Sequence, residues 1–232
     1  MMTQSISSGS RSAHGSAALT LYGYWRSSAS YRVRMALNLK ALDYRQYFVH
    51  LLRDGGQQLQ PDYLKLNPQG LIPALTHGKR VLTQSLAIME YLDEVFPDTP
   101  LLPGDAEGRA RVRALCGVIA CDTHPLNNLR VLKYLGREFG LKKSARDEWY
   151  RHWVSIGLDA FERMLANQPD SGRCCHGDLP TMADCCLLPQ VYNARRFECD
   201  ESGWPHICRI SAHLADIPAV ARAAPENQND SE

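Results

Sequence analysis

The sequence predicts an α/β domain followed by an all-helical domain, and three observations carry that prediction. Strand and helix patterns alternate from residue 18 to about residue 101. Near the end of that stretch two strand patterns are joined through His77-Gly78-Lys79, a hairpin that makes the sheet mixed. Beyond Pro103-Gly104-Asp105 strand patterns fade, and stretches of helical period take over.

The elements follow in order. Ala18 to Tyr24 alternates Leu19, Leu21 and Gly23 with Thr20, Tyr22 and Tyr24, the period of a strand. Ser28 and Ser30 are positioned to cap the next helix, where Val33, Ala36, Leu37 and Lys40 share a face that Met35 and Leu39 widen. Tyr44 to Leu52 reads as a second strand, ended by Gly55-Gly56, and Pro61 starts a short helix carrying Tyr63 and Leu64. Asn67-Pro68-Gln69-Gly70 is a turn. The hairpin strands run from Leu71 to Thr76 and from Arg80 to Thr83. Ser85 then caps a helix in which Leu86, Met89, Leu92 and Phe96 share a face, stopped by Pro97 and Pro100. In the second half, Arg109–Tyr134, Ala145–Leu165, Thr181–Arg196 and Ile207–Ala215 have helical periodicity. Thr181-Met182-Ala183-Asp184 is a capping box with aspartate in the glutamate position. The expected domains are 18–101 and 109–224, between a disordered Ser/Gly-rich tail at 1–17 and a polar tail at 225–232.

Composition narrows the function classes. The 232 residues are 44% hydrophobic and 22% charged, with a formal net charge of +1. No polybasic run points to nucleic acid or an anionic membrane. No apolar stretch is long enough to span a bilayer, and residues 1–17 lack the apolar core of a secretory signal. Of the eight cysteines, Cys174-Cys175 and Cys185-Cys186 are adjacent pairs, which rarely bridge. A reduced, cytoplasmic set of thiols is the expectation. Cys116, Cys121 and His124 lack a C-x-x-C companion, so no metal site is read from them.

Three features carry chemistry. Arg26-Ser27-Ser28 lies where the first strand gives way to the first helix. A helix start offers unpaired N–H groups and partial positive charge. With a hydroxyl donor beside it, such a place favours a thiolate over a thiol, whose ordinary pKa is about 8.5. From local sequence alone, plain N-capping is the favoured job of the same serines. Gln84-Ser85 opens another helix, a place suited to a carboxylate or simply to a cap. Ile72-Pro73 sits in an apparent strand where proline cannot donate to the ladder, which calls for a cis peptide or an edge strand.

In this order these features resemble the thioredoxin-like domain of glutathione transferases with its all-helical partner domain. The resemblance extends from about Leu19 to Asp230. Arg26-Ser27-Ser28-Ala29-Ser30-Tyr31-Arg32-Val33-Arg34-Met35-Ala36-Leu37 is similar to the signature of the zeta class, the maleylacetoacetate isomerases. So are Leu66-Asn67-Pro68-Gln69-Gly70-Leu71-Ile72-Pro73-Ala74-Leu75 and Gln84-Ser85-Leu86-Ala87-Ile88-Met89-Glu90-Tyr91-Leu92. In the second half, Cys121-Asp122-Thr123-His124-Pro125-Leu126-Asn127-Asn128 and Leu188-Pro189-Gln190-Val191-Tyr192-Asn193-Ala194-Arg195-Arg196-Phe197 fit as well.

The resemblance implies glutathione as cofactor, with Ser27 the catalytic serine and Ser28 beside it. It implies glutathione contacts at Gln58, Ile72, Gln84, Ser85, His124 and Asn128. It implies Arg26 and Arg196 as partners of a small dicarboxylic substrate, and a homodimer. The implied reaction is glutathione-dependent cis–trans isomerisation of maleylacetoacetate. Maleylpyruvate isomerisation, general glutathione conjugation and non-catalytic glutathione binding are the competing readings. The chain departs from the class at Ala29, where cysteine is usual. That loss leaves Ser27 in place and removes a thiol able to form mixed disulfides.

Overall fold

The computed structural model describes residues 18–232, so the expected tail at 1–17 lies outside the described residues. The first half is β1 (Leu19–Gly23), α1 (Ser28–Leu39), β2 (Tyr44–Phe48), α2 (Pro61–Leu66), β3 (Ala74–His77), β4 (Arg80–Thr83) and α3 (Ser85–Val95). The sheet order is β2-β1-β3-β4, with β1 parallel to β2 and both later pairs antiparallel. The mixed sheet anticipated from the hairpin is therefore present.

Strand ends differ from the sequence reading for local reasons. β3 begins at Ala74, because Pro73 has no N–H for the ladder. The bond from Ile72 to Pro73 is cis, one of the two alternatives the sequence left open. β2 stops at Phe48, and short 3₁₀ turns at Arg53–Gly55 and Gln57–Leu59 lead to α2. The cap assignments shift toward the N-terminus. Ser27, not Ser28 or Ser30, is the N-cap of α1, and Gln84, not Ser85, is the N-cap of α3.

The helical half comprises α4 (Ala106–Gly117), α5 (His124–Leu126), α6 (Leu129–Glu138), α7 (Lys143–Ala166), α8 (Met182–Arg196), α9 (Pro205–Ala215) and α10 (Pro218–Ala221). The stretch of helical period over 109–134 is interrupted in the structure. A wide π turn occupies Val118–Thr123, and the chain breaks again at Asn127-Asn128 before α6. Pro125 has no N–H to extend the ladder, and π turns commonly re-aim side chains at functional sites. Gly157 on α7 makes room for this turn, since a methyl there would collide with Thr123 Oγ1. The expected capping box forms: Thr181 caps α8, and Asp184 Oδ2 accepts from Thr181 N at 2.7 Å.

The hydrophobic core is continuous across both halves. Leu21, Val33, Leu75 and Ile88 belong to the same buried cluster as Leu115, Leu158, Phe161 and Leu187. α1 packs on α8 as well as on α3, so Ser28 through Leu37 is buried on all sides. The helix that reads as amphipathic in sequence is thus a shared central element.

Residues 225–232 are not a trailing tail. Pro225–Asn227 forms a 3₁₀ turn, and Gln228 is buried with its Nε2 donating to Arg222 O and Ala224 O. Asp230 Oδ2 accepts from Trp25 N at 3.0 Å, and Gln228 Oε1 accepts from Gln46 Nε2 at 3.0 Å. The polar side chains of this segment find partners on the first domain, which is what composition alone does not reveal.

Candidate active site

The loop after β1 delivers Arg26, Ser27 and Ser28 to the start of α1. Ser27 Oγ accepts from Ser30 N at 3.2 Å. That bond uses a lone pair and leaves the hydroxyl hydrogen free to donate. Capping and thiolate donation, alternatives at the sequence level, are chemically compatible in one side chain. Ser28 Oγ lies 2.9 Å from Nδ1 of His124, which the π turn brings across from the helical half. Burial and the nearby Arg32 guanidinium push the His124 imidazole down to about 3. His124 is therefore neutral at pH 7, and with its proton on Nδ1 the Ser28 hydroxyl is free to donate outward.

These residues open onto a cavity of about 270 Å³ between the two halves. Eight of the ten expected site residues line it: Arg26, Ser27, Ser28, Gln58, Ile72, His124, Asn128 and Arg196. Gln58 is buried, and its Oε1 has no hydrogen-bond partner among the described residues, so it is an available acceptor. Asn128 Oδ1 accepts from Arg130 N at 3.1 Å, capping α6. The Arg196 guanidinium sits 4.7 Å from the Phe197 ring centroid, and that ring stacks on Tyr150 at 3.7 Å.

Gln84 and Ser85 do not line this cavity. Gln84 connects to it through Gln69, a lining residue whose Oε1 accepts from Gln84 Nε2 at 2.8 Å. Gln84 has a φ of 67°, a left-handed conformation that is unfavourable for a residue with a side chain and is often retained at functional sites. No side chain caps α3, so its first N–H groups stay unpaired beside the Ser85 hydroxyl. Ala29 is buried and also does not line the cavity.

The sequence reading missed Arg130, Lys133, Tyr150 and Asn193, all cavity residues. Arg130 and Lys133 come from the first turns of α6, Tyr150 from α7 and Asn193 from α8. The three-residue spacing of Arg130 and Lys133, just after the Asn128 cap, was the one available signal, since it puts both on one helix face. Burial raises the Tyr150 hydroxyl to about 12, against a smaller opposing pull from Arg196, so the phenol stays protonated and can donate. The cavity therefore carries four cationic side chains, and no aspartate or glutamate lines it. None of the four forms an ion pair among the described residues.

A mixed four-stranded sheet whose first helix start faces a helical domain across a cavity defines a two-domain glutathione-transferase architecture. Residues 17–94 match the family model for the glutathione S-transferase N-terminal domain. A probable maleylacetoacetate isomerase from Vibrio cholerae is 49% identical over 91% of this chain and 98% of its own length. The holo structure of a maleylpyruvate isomerase, a bacterial zeta-class glutathione S-transferase, superposes with a TM-score of 0.89 at 47% identity, covering 92% of this chain and 100% of that one. A maleylacetoacetate isomerase structure from Methylobacterium extorquens AM1, with bound malonate and glutathione, gives 0.88 at 43% identity, covering 92% and 99%. The chain belongs to the zeta class of the glutathione S-transferases.

Proposed function

We propose that the protein is a glutathione-dependent isomerase that converts maleylacetoacetate to fumarylacetoacetate. The observation that carries this reading is the cavity itself, lined by Ser27 and four cationic side chains and by no aspartate or glutamate. Such a lining suits a dianionic substrate, because guanidinium groups bind carboxylates in a fork.

In this mechanism glutathione lies along the first domain, with its thiol at Ser27 and its γ-glutamyl carboxylate at Ser85 and the start of α3. Ser27 donates to the sulfur and favours the thiolate. The thiolate adds to the cis double bond, forming a C–S bond and moving the π electrons into an enolate. Arg26, Arg130 and Arg196 balance the substrate carboxylates and the enolate charge. Rotation about the new single bond follows. The enolate then re-forms the double bond in the trans geometry and expels the thiolate. No glutathione is consumed, and the net reaction needs no proton.

Maleylpyruvate is the second substrate to weigh, because a maleylpyruvate isomerase from Ralstonia is 47% identical over 92% of this chain. Turnover of the two substrates side by side, with glutathione assayed before and after, tests the proposal. Faster turnover of maleylacetoacetate with full recovery of glutathione supports it. Accumulation of a stable conjugate would replace it with a conjugating transferase. A homodimer and a reducing, cytoplasmic setting belong to the same proposal. Five buried free thiols support the second, and light scattering tests the first.

A further inference from the structure

Arg26 and Ser27 ride on a turn that another part of the chain holds. Ser27 N donates to Tyr24 O at 3.0 Å and closes the turn over Trp25 and Arg26. That bond leaves the N–H and C=O of Trp25 in need of other partners. Both are met by the segment after α10, one directly and one through Arg34. Asp230 Oδ2 accepts from Trp25 N at 3.0 Å, across 205 residues of sequence. Arg34 Nη2 donates to Trp25 O at 2.9 Å, and its Nε donates to Ala223 O at 2.9 Å. Burial pulls the Arg34 guanidinium down to about 10, with Asp230 among the groups that oppose the shift. Arg34 is therefore charged at pH 7, and its bonds to the turn are charge-assisted. Asp230 Oδ1 has no hydrogen-bond partner among the described residues, so the bond to Trp25 N is the carboxylate's main engagement there.

The turn passes this anchorage on to the cavity. The Arg26 guanidinium lies 5.1 Å from the Trp25 ring centroid, within reach of cation–π attraction. Trp25 thus stands between a pinned backbone and one of the four cavity cations. Ser27 depends less on the segment, because its N is held by Tyr24 O and its Oγ accepts from Ser30 N. We propose that Asp230 is a positioning residue for the substrate end of the site: it fixes Trp25, Trp25 carries Arg26, and Arg26 meets a carboxylate of the dianion. This rests on the reading of the protein as an isomerase of a dicarboxylic substrate. Losing Asp230 then falls on the diacid and spares glutathione.

The test is a calorimetric titration of the glutathione-loaded protein with malonate, the dicarboxylate held together with glutathione by the Methylobacterium extorquens relative. Glutathione itself is titrated in parallel. Asp230→Ala weakens malonate by about fivefold or more and shifts glutathione by less than about twofold, as for loss of one charge-assisted hydrogen bond on the substrate side. Asp230→Asn keeps an acceptor oxygen for Trp25 N and recovers most of the affinity. In an Arg26→Met background Asp230→Ala has no further effect on malonate, because the two residues act in series. Asn38→Ala removes a different bond to the same part of the chain, from Asn38 Nδ2 to Ala219 O at 3.0 Å. It lowers the melting temperature and leaves the malonate affinity where it was. A purely structural Asp230 would weaken both ligands equally, or add its full loss to that of Arg26→Met, and either result overturns the proposal. Failure of both Asp230→Ala and Asp230→Asn to fold overturns it too, since the carboxylate would then serve the fold. Binding is read without turnover, so a missing isomerase activity removes the proposed reaction and leaves this result standing. A native protein that isomerises the diacid but shows no weaker malonate binding in Asp230→Ala keeps the reaction and loses the positioning role.

Discussion

Ser27 serves two partners at once, and its replacement should reveal both. Ser27→Ala removes the cap of α1, worth about 1 kcal/mol, and the donor to the thiolate, worth about a hundredfold in kcat by analogy with an oxyanion donor. Denaturant melts and steady-state rates separate the two effects. A variant that is destabilised yet keeps its rate would reduce Ser27 to a cap. Arg196→Met should raise KM for the diacid by about tenfold while leaving glutathione affinity nearly unchanged; an equal loss for both ligands would contradict its assignment to the substrate. His124 makes a pH prediction. Its folded-state pKa of about 3 lies below the unfolded value of about 6.5, so the unfolded chain binds the extra proton between them. Stability contributed by neutral His124 is present above pH 6.5 and is lost as pH falls toward 3, by at most about 1.4 kcal/mol per pH unit. His124→Gln should flatten that slope in urea melts taken across the window. At this scale the serines stood out as hydroxyls at a helix start, while Arg26 was named only through the family resemblance. Tyr150 and Asn193 were not, because α7 and α8 bring them to the cavity only after the helical domain has closed.

At the scale of elements, the π turn at Val118–Thr123 is what aims His124 and Asn128 at the first domain. Gly157→Ala tests this, because its methyl would strike Thr123 Oγ1 and force the turn to move. The expected outcome is a loss of about 1–3 kcal/mol from overpacking, together with a fall in kcat/KM. Retained activity at reduced stability would show that the turn does not position the site. Helical period revealed that residues 109–134 are helical, yet a π turn is still helical and carries no residue signature of its own. Its position was therefore hidden, although Pro125 marked the neighbourhood. The strand at Ala74 was displaced from its predicted start for a simpler reason, since apolarity runs through Leu71, Ile72 and Pro73 while hydrogen bonding does not. α1 was misread in character rather than place. Its period shows one apolar face, but α8 covers a second, and even Arg32 and Arg34 are buried.

Across the whole molecule, the two halves share one core and the chain end returns to the first domain. The domain boundaries read from the linker therefore describe connectivity, not independence. Removing residues 225–232 should lower stability by about 1–3 kcal/mol, through loss of the buried Gln228 and Asp230 hydrogen bonds, measured as a shift in the urea midpoint. An unchanged midpoint would return that segment to the status of a tail. The order of elements and the split into an α/β and a helical half were legible from periodicity and one linker. The closure was not, because it depends on polar side chains whose partners lie some two hundred residues away in sequence. Between the two halves lies the acid-free, cationic cavity that Ser27 helps to line. The most direct test of its proposed role is the rate of maleylacetoacetate isomerisation with and without glutathione. Turnover that appears only with glutathione, saturates with it and leaves it unconsumed is the predicted result. Isomerisation at the same rate without glutathione, or none in its presence, would contradict the account.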